Sequence, residues 1–534
     1  MSPSDIARMN TPEQNVRFIE TLPRNLGIPT SSEKLGKGLY ASSLQVSDST
    51  AVCDPKSFTT AASQTTSDAA KNTARTGNTA DKISLPFIET FVRPVSAPTL
   101  TGPPADIHAG RYGLFGTFAG STITANIARG SKPQHVYLNT ADPFCLVAVG
   151  VQGAGKSHTL ATVMEASLYT APPVTRAEPP MLGLVFHYSE HGADAGVCEA
   201  ATLALDGGGN TSDNNAAVIK RKPVTIIVSP SFYAQRKQVY TDILGPENCR
   251  VVPMLFRWHE LTAAQIRGLL RVSVDGEMPL YMSVILDMLR KHQKRSHGRG
   301  MPSYKDFKAE ITTLGLSHTQ MEALMQRLRL IEMFLAEADE NAGLGYHPLP
   351  ELFDISALVI ADLTDPLLSG AEANGLFEVL FSRFLRMDTP RGKLVVCDEA
   401  HKYLSGSSST TALASCSDPL TASLVSATQQ MRHHGLRVVV STQSPRVLPS
   451  ALLEVVSVAV IHAFHARDWF KHLQRKLPLA DVWYAAIQRL GLGEAAVFSR
   501  KWDTSALGDT GNVRTVQVRP RISGDGGAGK ILKD

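Results

Sequence analysis

The chain has 534 residues, 43% of them hydrophobic and 19% charged, with a formal net charge of +4. That length allows one large domain or two to three ordinary ones, and the mild positive balance neither demands nor excludes nucleic acid. Six scattered cysteines without a CxxC pair read as reduced thiols rather than a disulfide framework.

No apolar run approaches the ~18–20 residues that cross a membrane, and "MSPSDIARMNTPEQ" lacks the apolar centre of a signal segment. An intracellular, soluble protein is expected, with cytoplasm and nucleus not distinguished. Residues 1–105 are expected to be disordered. Between Ala41 and Ala80, 23 of 40 residues are Ser, Thr or Ala, too few apolar groups to offset the entropy of ordering. Residues 106–137, with "GRYGLFGTF" and "HVYLN", predict a small β element ahead of the core.

A core over 138–522 follows, alternating strand and helix. "FCLVAVGV", "MLGLVFHYS", "PVTIIVSP", "ALVIADL", "KLVVCDE", "LRVVVSTQS" and "VVSVAVIHAF" are short, near-continuous apolar runs, the pattern of parallel strands covered on both faces. Between about 260 and 345 only helical spacing appears. Two of these helices have capping-type starts, Thr262 with Gln265 and Ser303 with Asp306. The fold class expected is α/β, a mainly parallel sheet with an all-helical insertion. Residues 523–534 read as a flexible tail.

"GVQGAGKS" supplies Gly150-x4-Gly155-Lys156-Ser157 between an apolar strand and a helical run. Glycines let backbone N–H groups turn inward around phosphates, and the following helix offers its positive end. The α/β fold expected is therefore of the RecA/AAA-like P-loop NTPase kind, and Gly150, Gln152, Gly153, Ala154, Gly155, Lys156, Ser157 and His158 are the expected ATP-binding residues. Lys156 would reach the β- and γ-phosphates, and the Ser157 hydroxyl would hold Mg²⁺.

"VVCDEAH" ends a second apolar run at Asp398, where a carboxylate would hold Mg²⁺, with Glu399 beside it to polarise water. The letters DEAH also name a helicase family, and "SAT" at Ser426–Thr428 adds a coincidence. Three features oppose that reading. Lys156 and Asp398 are 242 residues apart, "SAT" follows helical spacing, and only 106 residues remain after Thr428. "LLSGAE", Leu367–Glu372, reads as a helix start rather than a transporter signature.

Downstream, "QQMRHHGLRVVVSTQS" places Arg432 eleven residues before Gln443. With "ALVIADL", "DEAH" and the closing "GLGEAAVFSRKW" and "VRTVQVRP", residues 135–522 resemble the HerA/FtsK superfamily of P-loop ATPases. The resemblance implies that Gln443 senses the γ-phosphate or the attacking water, and that Arg432 is a finger given to a neighbouring subunit. It also implies a homo-oligomeric ring, with a hexamer as one form, acting on nucleic acid such as DNA. The alternative is a non-translocating switch or scaffold that regulates protein partners.

Two further patterns have plainer readings. "HYSEH", His187–His191, matches a zinc-peptidase spacing but finishes a strand, so its histidines cannot share a helical face. The basic run Arg290–Gly300 at a helix end reads as a solvated terminus, with nucleic-acid contact as the sharper option.

Overall fold

Branched apolar runs without polar alternation form one continuous sheet. The computed structural model describes residues 111–119, 135–171, 174–192, 195–205, 223–270, 280–295, 302–404, 418–500 and 512–524. The expectations for 1–105, for the tail beyond residue 524 and for Arg299 lie outside the described residues.

The strands are β1 (Tyr112–Phe118), β2 (His135–Asn139), β3 (Cys145–Val149), β4 (Thr175–Arg176), β5 (Leu182–Ser189), β6 (Val224–Val228), β7 (Cys249–Pro253), β8 (Leu358–Thr364), β9 (Lys393–Cys397), β10 (Leu436–Thr442), β11 (Val458–Ile461), β12 (Glu494–Ser499) and β13 (Val513–Val518). Their order is β2-β1-β13-β12-β11-β3-β10-β9-β5-β8-β6-β7, with β4 on β1. From β11 to β7 every neighbouring pair is parallel. From β11 outward through β12, β13, β1 and β2 the pairs are antiparallel. The fold is thus α/β with a mostly parallel sheet, and the short strands near 112–139 extend that sheet.

Side-chain alternation splits the interior into two layers. Cys145, Val147 and Val149 of β3 face one layer, while Leu146 and Ala148 face the other. Burial on both faces explains why the central strands show no polar alternation. Helix α1 (Lys156–Leu168) packs in the second layer and is buried on nearly every side. Gly113 of β1 permits this approach, since an added Cβ would stand 2.2 Å from the Ala166 Cβ. Glu165 then ties α1 to the segment after β13. It pairs with Arg519 at 2.8 Å and accepts hydrogen bonds from Ile522 N, Ser523 N and Ser523 Oγ at 2.9, 2.7 and 2.6 Å.

Helix α2 (Tyr233–Leu244) covers the β6–β7 end. Between β7 and β8 lie α3 (Ala263–Leu270), α4 (Leu280–Arg295), α5 (Tyr304–Thr312) and α6 (His318–Met333). Thr262 and Gln265 cap α3 reciprocally, and the Ser303 hydroxyl accepts from Asp306 N at 3.1 Å. The exposed end of α4 carries Arg290, Lys291, Lys294 and Arg295, with Lys291 paired to Asp287 at 2.7 Å. After α7 (Leu349–Ile355) and β8 comes α8 (Gly370–Arg386), opened by the Ser369–Glu372 capping box, so "LLSGAE" is a helix start. No helix among the described residues is long and apolar enough to cross a membrane.

One ionic cluster sits wholly inside. Asp362 on β8 pairs with Arg236 of α2 at 2.6 Å, both side chains being fully buried. Tyr240 donates to the same oxygen at 2.7 Å, and Thr364 Oγ1 to the other at 2.6 Å. Burial alone would raise the Asp362 pKa; His187, Arg236 and these hydrogen bonds reverse that and hold it below the usual range. Arg236→Met would strand the buried carboxylate, so it should cost about 3–5 kcal/mol. Urea unfolding measures it, and an unchanged midpoint would show that Asp362 tolerates isolation.

Candidate nucleotide site

The site forms where parallel strands end together. β10 lies between β3 and β9, with Thr442 opposite Val149 and Val440 opposite Cys397. The next residue of each strand therefore leaves the sheet at one edge: Gly150 after β3, Asp398 after β9 and Gln443 after β10. Strand order and register do this work, not proximity in sequence.

The loop after β3 turns through left-handed glycines, Gly153 at φ 75° and Gly155 at φ 106°. Ala154 N bonds back to Val151 O at 3.3 Å, and α1 begins at Lys156. Gln152 and Gly153 are exposed, while Ala154, Gly155, Ser157 and His158 are half-buried. Lys156 is 4% exposed, and its Nζ donates to Val151 O at 3.0 Å. Burial lowers its pKa, opposed by the charges of Glu399, Asp398 and Glu199. A turn-forming loop at a strand end, a buried lysine and a helix starting at that lysine settle the type of fold. This is a P-loop NTPase fold.

His462, which follows β11, braces the P-loop from beneath. A carbonyl only accepts, so the Nδ1–H donates to Glu494 O at 3.1 Å; Nε2 then accepts from Thr159 Oγ1 at 2.9 Å. The ring lies against the loop glycines: a Cβ on Gly150 would stand 2.7 Å from the His462 Cβ, and one on Gly155 3.3 Å from its Cε1. Ala463 O accepts from Val151 N at 3.1 Å beside it. Burial pushes the His462 pKa down to about 4, so the imidazole is neutral at pH 7. His158, by contrast, turns away to the Arg519 carbonyl at 2.7 Å.

Across from the P-loop, Asp398 is buried and its N–H donates to Phe186 O at 3.0 Å. Its Oδ1 has no hydrogen-bond partner, and Ser157, Glu199 and Asp398 all line one cavity of about 10 Å³. A hydroxyl and a carboxylate with a free buried oxygen are hard oxygen donors, which fits Mg²⁺. His187 Nδ1 lies 3.5 Å from Asp398 Oδ2. Burial opposes charge on His187, but the neighbouring Asp398 and Asp362 carboxylates raise its pKa above the ordinary value. The Cys198 thiol joins them, the three donor atoms lying within 4.8 Å of one another.

Glu399 has φ 47° and ψ 43°, the one non-glycine residue with positive φ among those described. Such a backbone costs on the order of 1–3 kcal/mol and clusters at working sites. It turns the carboxylate toward β10, where Gln443 Nε2 donates to Oε2 at 2.9 Å. His401 Nδ1 stands 3.2 Å from the same oxygen.

Arg432 is not in this group. It lies exposed on α10 (Met431–His434), which follows α9 (Pro419–Gln429) and precedes β10. It therefore sits at the opposite end of a seven-residue strand, which spans roughly 23 Å at about 3.3 Å per residue. "SAT" lies inside α9. His191 bonds to Ser189 Oγ at 2.8 Å, whereas His187 faces Asp398. Sequence reasoning missed His462, Cys198 and Glu199; a lone polar residue ending the strand beside β3 was the available signal for His462.

No protein-family profile and no curated protein matches the sequence. Among solved structures, the chain is similar to the bacterial conjugative coupling protein TrwBΔN70, at 14% identity and TM-score 0.42, covering 72% of this chain and 87% of that one. VirB4 of Thermoanaerobacter pseudethanolicus shows 12% identity and TM-score 0.42, covering 78% and 98%. The genome packaging NTPase B204 from Sulfolobus turreted icosahedral virus 2, in complex with ATP-gammaS, shows 9% identity and TM-score 0.26, covering 72% and 99%. Likenesses this shallow carry no chemistry across, and the site stands on its own residues.

The neutral His462 makes stability depend on acidity. The unfolded imidazole binds a proton below about pH 6.5, whereas the folded one resists to about pH 4. Its contribution is whole above the higher value and falls as pH drops toward the lower. Between pH 7 and 5 the loss should be about 2 kcal/mol. Urea midpoints of His462→Gln should fall less over that range than those of the unaltered protein; equal slopes would overturn the neutral buried role.

Proposed function

We propose that the chain is an Mg²⁺-dependent ATPase of the HerA/FtsK kind, assembled as a ring and acting on nucleic acid. The contact that carries the reading is Gln443 Nε2 to Glu399 Oε2, 2.9 Å, made from a left-handed Glu399 backbone at the strand edge that holds the P-loop. A structural carboxylate would have no use for that backbone; a base that must point at one spot does.

In this reading the loop N–H groups and Lys156 bind the phosphates, and Lys156 exchanges its Val151 carbonyl for phosphate oxygens. Ser157 and Asp398 would hold Mg²⁺, which would supply positive charge against that of the phosphate oxygens. Glu399 takes the proton of the attacking water. Gln443 fixes the carboxylate and can turn its amide to the γ-phosphate. His187 between Asp398 and Asp362 keeps the metal-binding carboxylate oriented.

Glu399→Gln should keep nucleotide affinity and lose turnover by at least two orders of magnitude, since the water loses its base. Equilibrium binding of a labelled nucleotide beside single-turnover hydrolysis separates the two. Near-normal turnover would remove Glu399 from the chemistry.

The position of Arg432 at the far end of β10 puts it out of reach of its own P-loop, which favours a role across a subunit boundary. A finger of this kind is worth about 10³–10⁵ in rate. Arg432→Ala should bind nucleotide normally and hydrolyse slowly, and mixing it with Lys156→Ala protein should restore part of the turnover. Failure to restore it in a proven mixed oligomer would exclude a finger in trans. Single- and double-stranded DNA should each be added in the same assay: unchanged turnover in both replaces the translocase with the non-translocating switch.

A further inference from the structure

At the sheet edge opposite the P-loop, a cleft of about 450 Å³ opens where β9 and β10 begin. Arg111, Arg386, Arg391, Lys393 and Arg437 line it, with Asp388 the one acid among the lining residues. None of the five cations forms an ion pair among the described residues. Their hydrogen bonds go mostly to main-chain carbonyls instead, the exception being Arg386 Nη2, which donates to Ser382 Oγ at 3.2 Å. Arg391 Nε donates to Pro180 O at 2.7 Å and its Nη2 to Met181 O at 3.1 Å. Lys393 Nζ donates to Leu385 O and Met387 O, each at 2.7 Å, and Arg111 Nε to Glu178 O at 3.3 Å. Arg386 Nε donates to Ser382 O at 3.1 Å. Carbonyl dipoles hold these groups in place, and Asp388 and the nearby Asp142 offset only part of five full charges.

Arg437 marks the floor of the cleft. It is 3% exposed, its Nη1 donates to Gly435 O at 2.8 Å, and its Nε has no partner. Gly392 makes room for it, since a Cβ there would stand 2.9 Å from that Nη1. Burial, and then repulsion from Arg111, pushes its pKa down to about 10. An anion in the cleft would relieve both effects.

We propose that this cleft binds phosphate groups, either those of a nucleic-acid backbone or those of a free polyphosphate. Several guanidinium forks around one volume suit oxyanions of more than one charge, which a single carboxylate does not match. No Phe, Tyr or Trp lines the cleft, so no such ring is offered for a base to stack on. Recognition is by charge and without sequence preference. The site is separate from the nucleotide loop and does not depend on hydrolysis there.

The test uses the full chain with saturating Mg·ADP and compares it with Arg111→Glu/Arg386→Glu, both changes lying outside the nucleotide machinery. Fluorescence anisotropy with labelled duplex DNA and calorimetry with tripolyphosphate read the two sources, each over a salt series. Duplex binding weakened at least tenfold in the variant, with the log–log salt slope shallower by about 1.8 for two lost contacts, identifies backbone phosphates. Tripolyphosphate binding that alone weakens identifies a free polyphosphate. If neither ligand binds at low salt, or both bind the variant as well as the unaltered protein, the proposal is overturned. An unchanged thermal midpoint confirms that the variant is folded, and a failed Glu399→Gln test would leave this result standing.

Discussion

The site depends on one constraint, the insertion of β10 between β3 and β9 with its register fixed by parallel hydrogen bonds. Slipping a strand by one residue would send its side chains to the wrong face, and both faces here are buried. Register is therefore held by two hydrophobic layers rather than by any polar contact at the edge. The layers lock the strands, the strands align their ends, and the ends set Gly150, Asp398 and Gln443 side by side. The chemistry at the edge is specified by packing some distance beneath it.

Polar groups inside the molecule follow a complementary rule. Asp362, Arg236 and Tyr240 bond to one another where all three side chains are fully buried, and in register with Asp362 stands His187, which leans toward Asp398. A buried ionic cluster of this kind adds little net stability, but it penalises every arrangement in which a member loses its partner. Its place beside Asp398, the carboxylate proposed to hold the metal, gives it a use, because it limits the orientations open to His187 and so to Asp398. His462 does the same for the P-loop with a neutral ring and two hydrogen bonds.

Much of this was legible in the sequence. The central strands announce themselves as unbroken apolar runs because both faces are covered, and the glycine spacing before Lys156 reflects a backbone demand that few residue types meet. β7, β12 and β13 carry no clear strand signal: "CRVVP" is short and ends in proline, and "EAAVFS" is rich in alanine. The left-handed turn at Glu399 leaves no trace, since no glycine marks it. Contacts such as Arg236 with Asp362, or the gathering of Arg111, Arg391 and Arg437 into one cleft, join residues that share no local pattern. Only the topology brings them together.

The anchoring of α1 by the segment after β13 bears on how the molecule is made. Glu165 and Ser523 are 358 positions apart, yet their bonds hold the helix that carries the P-loop. Contacts of such long sequence separation form late, after the loop-closure entropy has been met. On a ribosome, the P-loop would emerge long before residues 513–523 that fasten its helix and complete the antiparallel wing. During that interval the apolar side of α1 and the edge of β11 stand open, which is when a chain of this size is most exposed to association with other chains. The candidate nucleotide site is thus encoded early and finished late.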